Sequence, residues 1–230
     1  MDVRNSPRTR GASISFRAAE VIREAIFTGR LLPGDPLLES QLMQDLRVSQ
    51  TSVREALLSL EREGLVVRIP NRGTSVVQLT DEALQERASV YALLESAAAV
   101  EAAGRISQAE AEQLEGCARA LDERSQLDTP QSFRKADLAF HRLLWRYAGN
   151  SVLYGVLDSL TVPMFALGQL LPPAATLKDA PGCDHRAIVR AVKANDRKEI
   201  ARVISEHVSR SFLNAKTCGA IVRPLLLPVQ

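Results

Sequence analysis

The stretch VSQTSVREALLSLEREGL, residues 48–65, predicts an amphipathic helix that determines the fold of the first part of the chain. Four apolar residues recur at the i, i+3, i+4 and i+7 spacing of one helical face: Val53, Ala56, Leu57 and Leu60. Ser49 is a favourable N-cap, and Gly64 is a favourable stop after the last turn. We therefore expect a helix over about 50–63 with one buried face.

The segments around this helix indicate a winged helix-turn-helix. They are a helix over 15–27, a turn over 31–37, a short helix over 39–45, and β-strands over 65–69 and 74–79. The strands flank PNRG (70–73), whose glycine suits a hairpin turn. This order of two helices, a turn, a third helix and a hairpin places the helix after Ser49 as the recognition helix.

The polar face of the predicted recognition helix carries candidate DNA contacts. Gln50, Thr51 and Ser52 occupy its first turn, where a recognition helix meets base edges, and Arg54 follows. Gln pairs with adenine, Arg pairs with guanine, and Ser or Thr bonds to a base or a phosphate. An ordinary amphipathic helix with a solvated face has the same pattern, so the flanking turn and hairpin are what favour DNA binding.

After Thr80 the sequence predicts helices alone, so the fold class is mainly α, with an antiparallel helical bundle following the winged helix-turn-helix. The expected helices span about 81–103, 107–125, 130–148, 151–170, 183–194 and 196–215. The expected divisions are a disordered basic arm over 1–13, a DNA-binding domain over 14–79, a helical sensor and dimerisation domain over 80–216, and an irregular tail over 217–230.

Composition restricts the class of protein further. Residues 1–79 contain eleven Arg, no Lys and nine acidic residues, an excess that phosphate binding and a GC-rich codon bias explain equally well. The three cysteines show no CxxC spacing, which argues against a zinc finger and fits a reducing cytoplasm. No signal peptide and no run of about 18 apolar residues is found, so we expect no membrane segment.

Residues 22–77 resemble the GntR family of bacterial regulators. The stretches that carry the resemblance are LPG (32–34), VS (48–49), VREAL (53–57), EGL (63–65) and NRG (71–73). The resemblance implies DNA contacts at Gln50, Thr51 and Arg54 and at the wing residues Asn71, Arg72 and Gly73. This chain has Gln50 where the family often has Arg, and Arg47 where it has a small residue, which leaves the operator sequence open.

The second domain resembles the FadR-type branch of that family, whose sensor domain is the all-helical FCD bundle. The stretches that carry this resemblance are DLAFHRLL (137–144), AGN (148–150), DHRAIVRAV (184–192) and the last helix with His207.

A metal site is expected in this bundle. Asp137 and His141 stand at i and i+4, so both side chains leave one helical face, and His185 and His207 come from two later helices. Three imidazoles and one carboxylate suit Zn, Ni, Mn or Fe without discriminating well between them. Metal-binding FCD domains, by resemblance, use one Asp and three His at these four positions, and zinc is the first expectation.

The resemblance also implies a small organic acid as effector, bound beside the metal. Many members carry an Arg that holds the acid group where this chain has Tyr91. Arg134 and Arg142 are candidate cations for the same purpose, although a solvated or salt-bridged surface residue is the more common role of such an Arg.

These observations predict a homodimeric transcriptional regulator that binds palindromic half-sites of double-stranded operator DNA, with repression relieved by the effector. The alternative is a metal-dependent enzyme of helical-bundle type with an appended DNA-binding domain. The sequence has no HExxH motif beside the ligands, so we expect no enzyme. A DNA-binding scaffold with an inactive sensor domain is a third reading, against which the complete ligand set argues.

Overall fold

The computed structural model describes residues 7–70, 73–124, 130–167 and 185–212 of the 230-residue chain. These residues divide into two compact units, with a boundary between Leu79 and Thr80, and the end of α7 from Val162 is grouped with the first unit. None of the described helices combines the length and the apolar character needed to cross a lipid bilayer.

The first unit is a winged helix-turn-helix. Its elements in chain order are α1 (Pro7–Phe27), β1 (Pro36–Leu37), α2 (Glu39–Leu46), α3 (Gln50–Arg62), β2 (Val66–Ile69) and β3 (Gly73–Val76). The strands form an antiparallel sheet in the order β1-β3-β2, in which Val66 pairs with Val76 and Ile69 with Gly73. Helix α1 packs against α3, and α2 packs against α3 as well.

Helix α3 begins after the predicted N-cap and buries the predicted apolar face. The Ser49 hydroxyl caps the helix by accepting a hydrogen bond from the backbone N–H of Ser52 at 3.2 Å. The apolar stripe is at most 1% exposed: Val53, Ala56, Leu57 and Leu60. The Arg23 guanidinium on α1 donates two hydrogen bonds to Glu63 just after α3, at 2.7 and 2.6 Å, and so joins the two helices.

Two features of this unit differ from the sequence-based expectations. Helix α1 begins at Pro7, so the prediction of a disordered arm over 1–13 is wrong from Pro7 onward, and residues 1–6 lie outside the described part. Proline is tolerated in a first helical turn, and no proline follows it before the end of the helix. Strand β1 falls within the predicted turn 31–37, because pairing of Leu37 with the distant Thr74 creates it.

The second unit is a helical bundle, which confirms the predicted fold class. Its helices are α4 (Asp81–Ala103), α5 (Gln108–Arg124), α6 (Pro130–Tyr147), α7 (Ser151–Leu167), α8 (His185–Ala194) and α9 (Arg197–Phe212). Helix α4 packs against α6, α8 and α9, and α5 packs against α6 and α8. Helices α6 and α7 run antiparallel, since Arg142 pairs with Asp158 while Trp145 contacts Tyr154. The predicted tail 217–230 lies outside the described residues.

Candidate metal centre and nucleic-acid interface

Four side chains from three helices of the second unit converge in its interior. Asp137 and His141 lie on α6, His185 opens α8, and His207 lies on α9. All four are buried, and one nitrogen or oxygen atom from each lies within 4.8 Å of the others. Asp137 Oδ1 is 2.7 Å from His185 Nε2 and 3.3 Å from His141 Nε2. His207 Nε2 is 3.1 Å from His141 Nε2. The structure therefore brings together all four predicted metal ligands.

The helices present these ligands through ordinary helical periodicity. Asp137 and His141 are one turn apart on α6, so they leave the same face. On α9, His207 continues the buried stripe of Ile200, Val203 and Ile204. A polar residue in an apolar stripe is costly to bury unless it finds a partner, and the cluster supplies one.

Glu95 on α4 is a member of the site that the sequence analysis did not identify. Its side chain is fully buried, and Oε1 accepts hydrogen bonds from His141 Nδ1 at 2.5 Å and from Trp145 Nε1 at 3.3 Å. The available signal was its position, because Glu95 interrupts the otherwise apolar buried stripe of α4. When the ring is neutral, a carboxylate that binds Nδ1–H fixes the tautomer of His141 and leaves the Nε2 lone pair facing the cluster.

The donor set fits a divalent transition metal. Metal–nitrogen bonds of about 2.0–2.1 Å place two ligands of one ion about 3–4 Å apart. Three pairs of donor atoms in the cluster lie 2.7, 3.1 and 3.3 Å apart, and one donor atom from each of the four residues lies within 4.8 Å of the others. Two imidazole nitrogens that face each other at 3.1 Å, as in His141 and His207, are naturally accommodated by a shared cation. The described residues thus include a buried Asp/His cluster that could hold a metal ion.

Burial and charge shift the pKa values within the cluster in different directions. For His141, burial alone would lower the pKa, but the carboxylates of Glu95 and Asp137 outweigh burial and raise it to about 10. Burial would raise the pKa of Asp137, but His185 and His141 lower it below its usual range. Burial, together with the charges of His185 and His141, lowers the pKa of His207 well below its ordinary value.

The three residues predicted to contact the effector lie in different surroundings. Tyr91 is fully buried, and its ring packs edge-on against His141 at a centroid distance of 6.1 Å. Its hydroxyl has no hydrogen-bond partner among the described residues. Arg134 lies on the ligand face of α6, one turn before Asp137. Arg142 instead donates to Asp158 at 2.6 Å, and its side chain is 37% exposed. It is therefore a salt-bridged surface residue, which is the other interpretation of its sequence position.

The recognition helix exposes most of its predicted DNA contacts. Gln50, Thr51 and Arg54 are exposed on α3, and Gly73 is exposed at the start of β3. Ser52 is the exception, since it is only 6% exposed and its hydroxyl bonds to Ser49 Oγ at 3.0 Å. It stands one turn before the buried Ala56, so it belongs to the cap and the core edge, and its prediction as a base contact is withdrawn. The predicted wing residues Asn71 and Arg72 lie outside the described residues.

A carboxylate from α2 contacts two of these exposed side chains. Glu39 accepts hydrogen bonds from Arg54 Nε at 2.8 and 3.1 Å and from Gln50 Nε2 at 3.0 Å. Its hydrogen bond to Gln50, together with the charges of Arg54 and Arg68, lowers the pKa of Glu39, which is therefore ionised at neutral pH. The sequence analysis did not identify Glu39, because these partners lie 11 and 15 residues away along the chain.

Comparisons with protein families match most of the chain. The family "Bacterial regulatory proteins, gntR family" matches residues 15–76, and the family "FCD domain" matches residues 86–210.

Three curated relatives are similar over most of their length. A probable D-xylose utilization operon transcriptional repressor of Paenarthrobacter nicotinovorans is 30% identical, with 91% of each chain covered. The HTH-type transcriptional repressor RspR of Escherichia coli K12 is 27% identical, with 82% of each covered. The repressor NanR of Cronobacter sakazakii is 28% identical, with 86% of this chain and 84% of NanR covered.

Solved structures agree on the fold. E. coli McbR/YncC superposes with a TM-score of 0.71 at 21% identity, covering 86% of this chain and 94% of that one. A GntR regulator from Rhodococcus sp. RHA1 superposes with a TM-score of 0.70 at 22% identity, covering 90% and 99%.

Proposed function

Because the chain belongs to the GntR family and is a DNA-binding transcriptional regulator with an FCD domain, we propose that it is a repressor controlled by a small organic acid bound beside a metal ion. The observation that carries the control mechanism is the buried convergence of Asp137, His141, His185 and His207. The named function of the three relatives as repressors supports repression as the sense of regulation.

Asp137 and the three histidines are the residues that would hold the metal. Zinc is the first choice, with Ni, Mn and Fe as alternatives, since this donor set suits all four. When bound, the ion supplies a Lewis-acidic position at which an effector carboxylate can bind. Glu95 supports this site by orienting His141 through its Nδ1–H.

Two further residues are placed to contact an effector. The Tyr91 hydroxyl is buried beside the cluster, where burial and the nearby Glu95 carboxylate raise its pKa, so it stays protonated and can donate to an effector. Arg134 stands on the same face of α6 as the ligands and supplies a cation. Arg142 contributes less than Tyr91, because Asp158 already binds it. The D-xylose relative makes pentose-derived acids the first compounds to screen.

The regulator acts as a homodimer on palindromic operator DNA in the cytoplasm, in this proposal. One recognition helix contacts about one half-site, and a two-fold dimer gains affinity by linking two such contacts.

Four exposed apolar residues of the second unit form the dimer patch: Val90 and Leu93 on α4, and Val152 and Val156 on α7. Arg87 Nη1 donates to the Leu160 carbonyl at 3.3 Å and joins these two helices. The operative domains are residues 14–79 for DNA and 80–216 for sensing and dimerisation.

Measurements on the purified chain test the proposal in two stages. Operator sequences are first selected from a random duplex pool, and the metal content is measured by elemental analysis. We expect a preferred palindromic duplex and about one divalent ion per chain. Pentose-derived and other small acids are then screened by melting temperature and by release of the operator. An acid that stabilises the loaded protein should also weaken operator binding.

A ligand variant and a matched control sharpen the metal test. His207→Ala should lose the ion and the response to the acid while it retains helical circular dichroism. Lys198→Ala, an exposed change on the same helix α9, should keep both. Full metal occupancy in His207→Ala would contradict the proposed ligation. Turnover of the acids by the wild-type chain would favour the alternative of an enzyme.

A further inference from the structure

The DNA-recognition surface carries one carboxylate that contacts both of the candidate base-reading side chains. Glu39, the first residue of α2, accepts from Arg54 Nε with both of its oxygens and from Gln50 Nε2 with Oε2. The side chains of Arg54 and Glu39 are 60% and 29% exposed, so the group lies at the protein surface. Both of these hydrogen bonds from Arg54 use Nε. Its Nη1 and Nη2 atoms form no hydrogen bond with a described residue, so they can bind another partner.

The surroundings of this group match a nucleic-acid surface. A cleft of about 450 Å³ opens beside it, lined by Glu39, Arg54 and Arg68 together with Gly73 and Thr74 of the wing. The cleft therefore lies between the recognition helix and the hairpin, within the first unit. An acidic residue at this position is unfavourable for binding phosphates in general, because DNA carries a negative charge about every 1.7 Å of its axis.

A purely structural explanation of Glu39 is weak. Exposed ion pairs contribute about 0–1 kcal/mol to stability, and a carboxylate in the first turn of a helix contributes about 0.3–1 kcal/mol. Glu39 has both of these small roles, but it neither fills the core nor caps α2 through a side-chain hydrogen bond. Its hydrogen bonds do, however, restrict the two side chains that would have to be placed accurately to bind base edges. A guanidinium fixed at Nε presents its two Nη groups in one plane, as bidentate binding to guanine requires.

We propose that Glu39 is a specificity-determining positioning residue, which aims Arg54 and Gln50 at base edges and disfavours binding to DNA that lacks the matching bases. The role rests on the proposed binding of operator DNA. In this role Glu39 raises the ratio of operator to non-operator affinity. At the same time, its negative charge lowers the affinity for DNA of any sequence.

The experiment compares the wild-type chain with Glu39→Ala and Glu39→Gln on the selected operator and on random duplex, at two salt concentrations. Both variants should bind random duplex more tightly, by about two- to fivefold at low salt, because a charge facing the phosphates is lost. The ratio of operator to random affinity should fall by about 5- to 100-fold in Glu39→Ala, the discrimination expected of one bidentate base contact. Asp45→Asn removes an equal charge from the same helix without touching Arg54, and should leave the ratio unchanged.

A double-mutant cycle separates positioning from a general effect of charge or folding. If Glu39 acts mainly through Arg54, then Glu39→Ala should lower the ratio much less in the Arg54→Ala background than in the wild-type chain, and only the part carried by Gln50 should remain. Additive losses in the double variant, or an unchanged ratio in Glu39→Ala, would overturn the proposed role. A wild-type chain with no preference for any duplex would instead overturn the proposed function itself, and the two failures are thereby distinguished.

Discussion

At the scale of single residues, His141 is held between two buried carboxylates. Glu95 binds its Nδ1 at 2.5 Å, while Asp137 lies 3.3 Å from its Nε2. Burying two carboxylates is costly unless positive charge compensates them. In the metal-free protein the compensating charge is a protonated His141, and in the loaded protein it would be the cation. The same three residues therefore link metal binding, protonation and the stability of the bundle.

Glu95→Gln should lower metal affinity by about 10- to 100-fold, the usual effect of losing an outer carboxylate. The amide can still accept from His141 Nδ1, but it no longer makes the imidazole a better ligand through its charge. The measurement is competition with a chelator of known affinity. Glu101→Gln, a half-buried change on the same helix α4, is the control and should bind normally. Unaltered affinity in a folded Glu95→Gln would show that Glu95 does not support the site.

Metal uptake at pH 7.5 should release one proton from His141. Its pKa in the metal-free protein is raised to about 10, so the ring is protonated at that pH and must become neutral to bind a cation. His207, whose pKa lies well below its ordinary value, is already neutral and releases none. Calorimetry in buffers with different heats of ionisation counts the protons released. A binding enthalpy that does not vary with the buffer would contradict this account.

The same shift gives the metal-free protein a defined dependence of stability on pH. A raised pKa means that the folded state binds the His141 proton more tightly than the unfolded state does. The resulting stabilisation is complete below the ordinary histidine pKa of 6.5 and is lost as pH rises toward about 10. This loss belongs to the metal-free form alone, because bound metal would hold His141 neutral throughout.

At the scale of elements, local sequence signals were sufficient for the helices and insufficient for contacts between distant segments. Periodicity and caps predicted the recognition helix, since Ser49 and the stripe through Leu60 are local features. Strand β1 and the contacts of Glu39 and Glu95 depend on partners 11 to 50 residues away, which a single sequence does not pair. The convergence of the four candidate metal ligands could be predicted because the family resemblance supplied the pairing that spacing alone lacks.

The turn between α2 and α3 contains a non-glycine residue in a strained backbone conformation. Arg47 ends α2 with φ +54° and ψ +44°, in the left-handed region, and its backbone N–H bonds to the Met43 carbonyl. The left-handed conformation costs an L-residue about 1–2 kcal/mol, whereas glycine adopts it freely. Glycine at the position of Arg47 would avoid this cost, whereas any residue with a Cβ would not.

Arg47→Gly should therefore stabilise the DNA-binding domain by about 0.5–1 kcal/mol, after the larger backbone entropy of unfolded glycine is subtracted. Urea unfolding measures the change. Arg47→Ala removes the same exposed charge but keeps a side chain in the left-handed conformation, so it should bring no comparable gain. Equal stability of the glycine and alanine variants would show that the backbone at Arg47 is not strained.

At the scale of the whole molecule, the proposed function depends on joining two chains. A single recognition helix buries little surface, so one chain alone would discriminate poorly between an operator and the rest of a genome. The second unit offers an apolar surface for association, because Val152 is 76% exposed and Leu93 is 53% exposed on helices joined by Arg87. In the proposed dimer these side chains would be buried against a second chain.

Leu93→Glu combined with Val156→Glu should convert the dimer into a monomer, because a dimer would bury these charges without partners. Affinity for a duplex with two half-sites should then fall by about 10²- to 10⁴-fold, the gain that linkage provides, while affinity for an isolated half-site stays the same. Sedimentation and gel-shift titration measure the two effects. Val21→Glu, which also places a Glu at an exposed apolar position (49% exposed, on α1), is the control and should remain dimeric.

A double variant that still sediments as a dimer would move the interface away from α4 and α7. A monomer with undiminished affinity for the paired half-sites would mean that the two recognition helices are not linked through this surface, and that operator binding needs a different account.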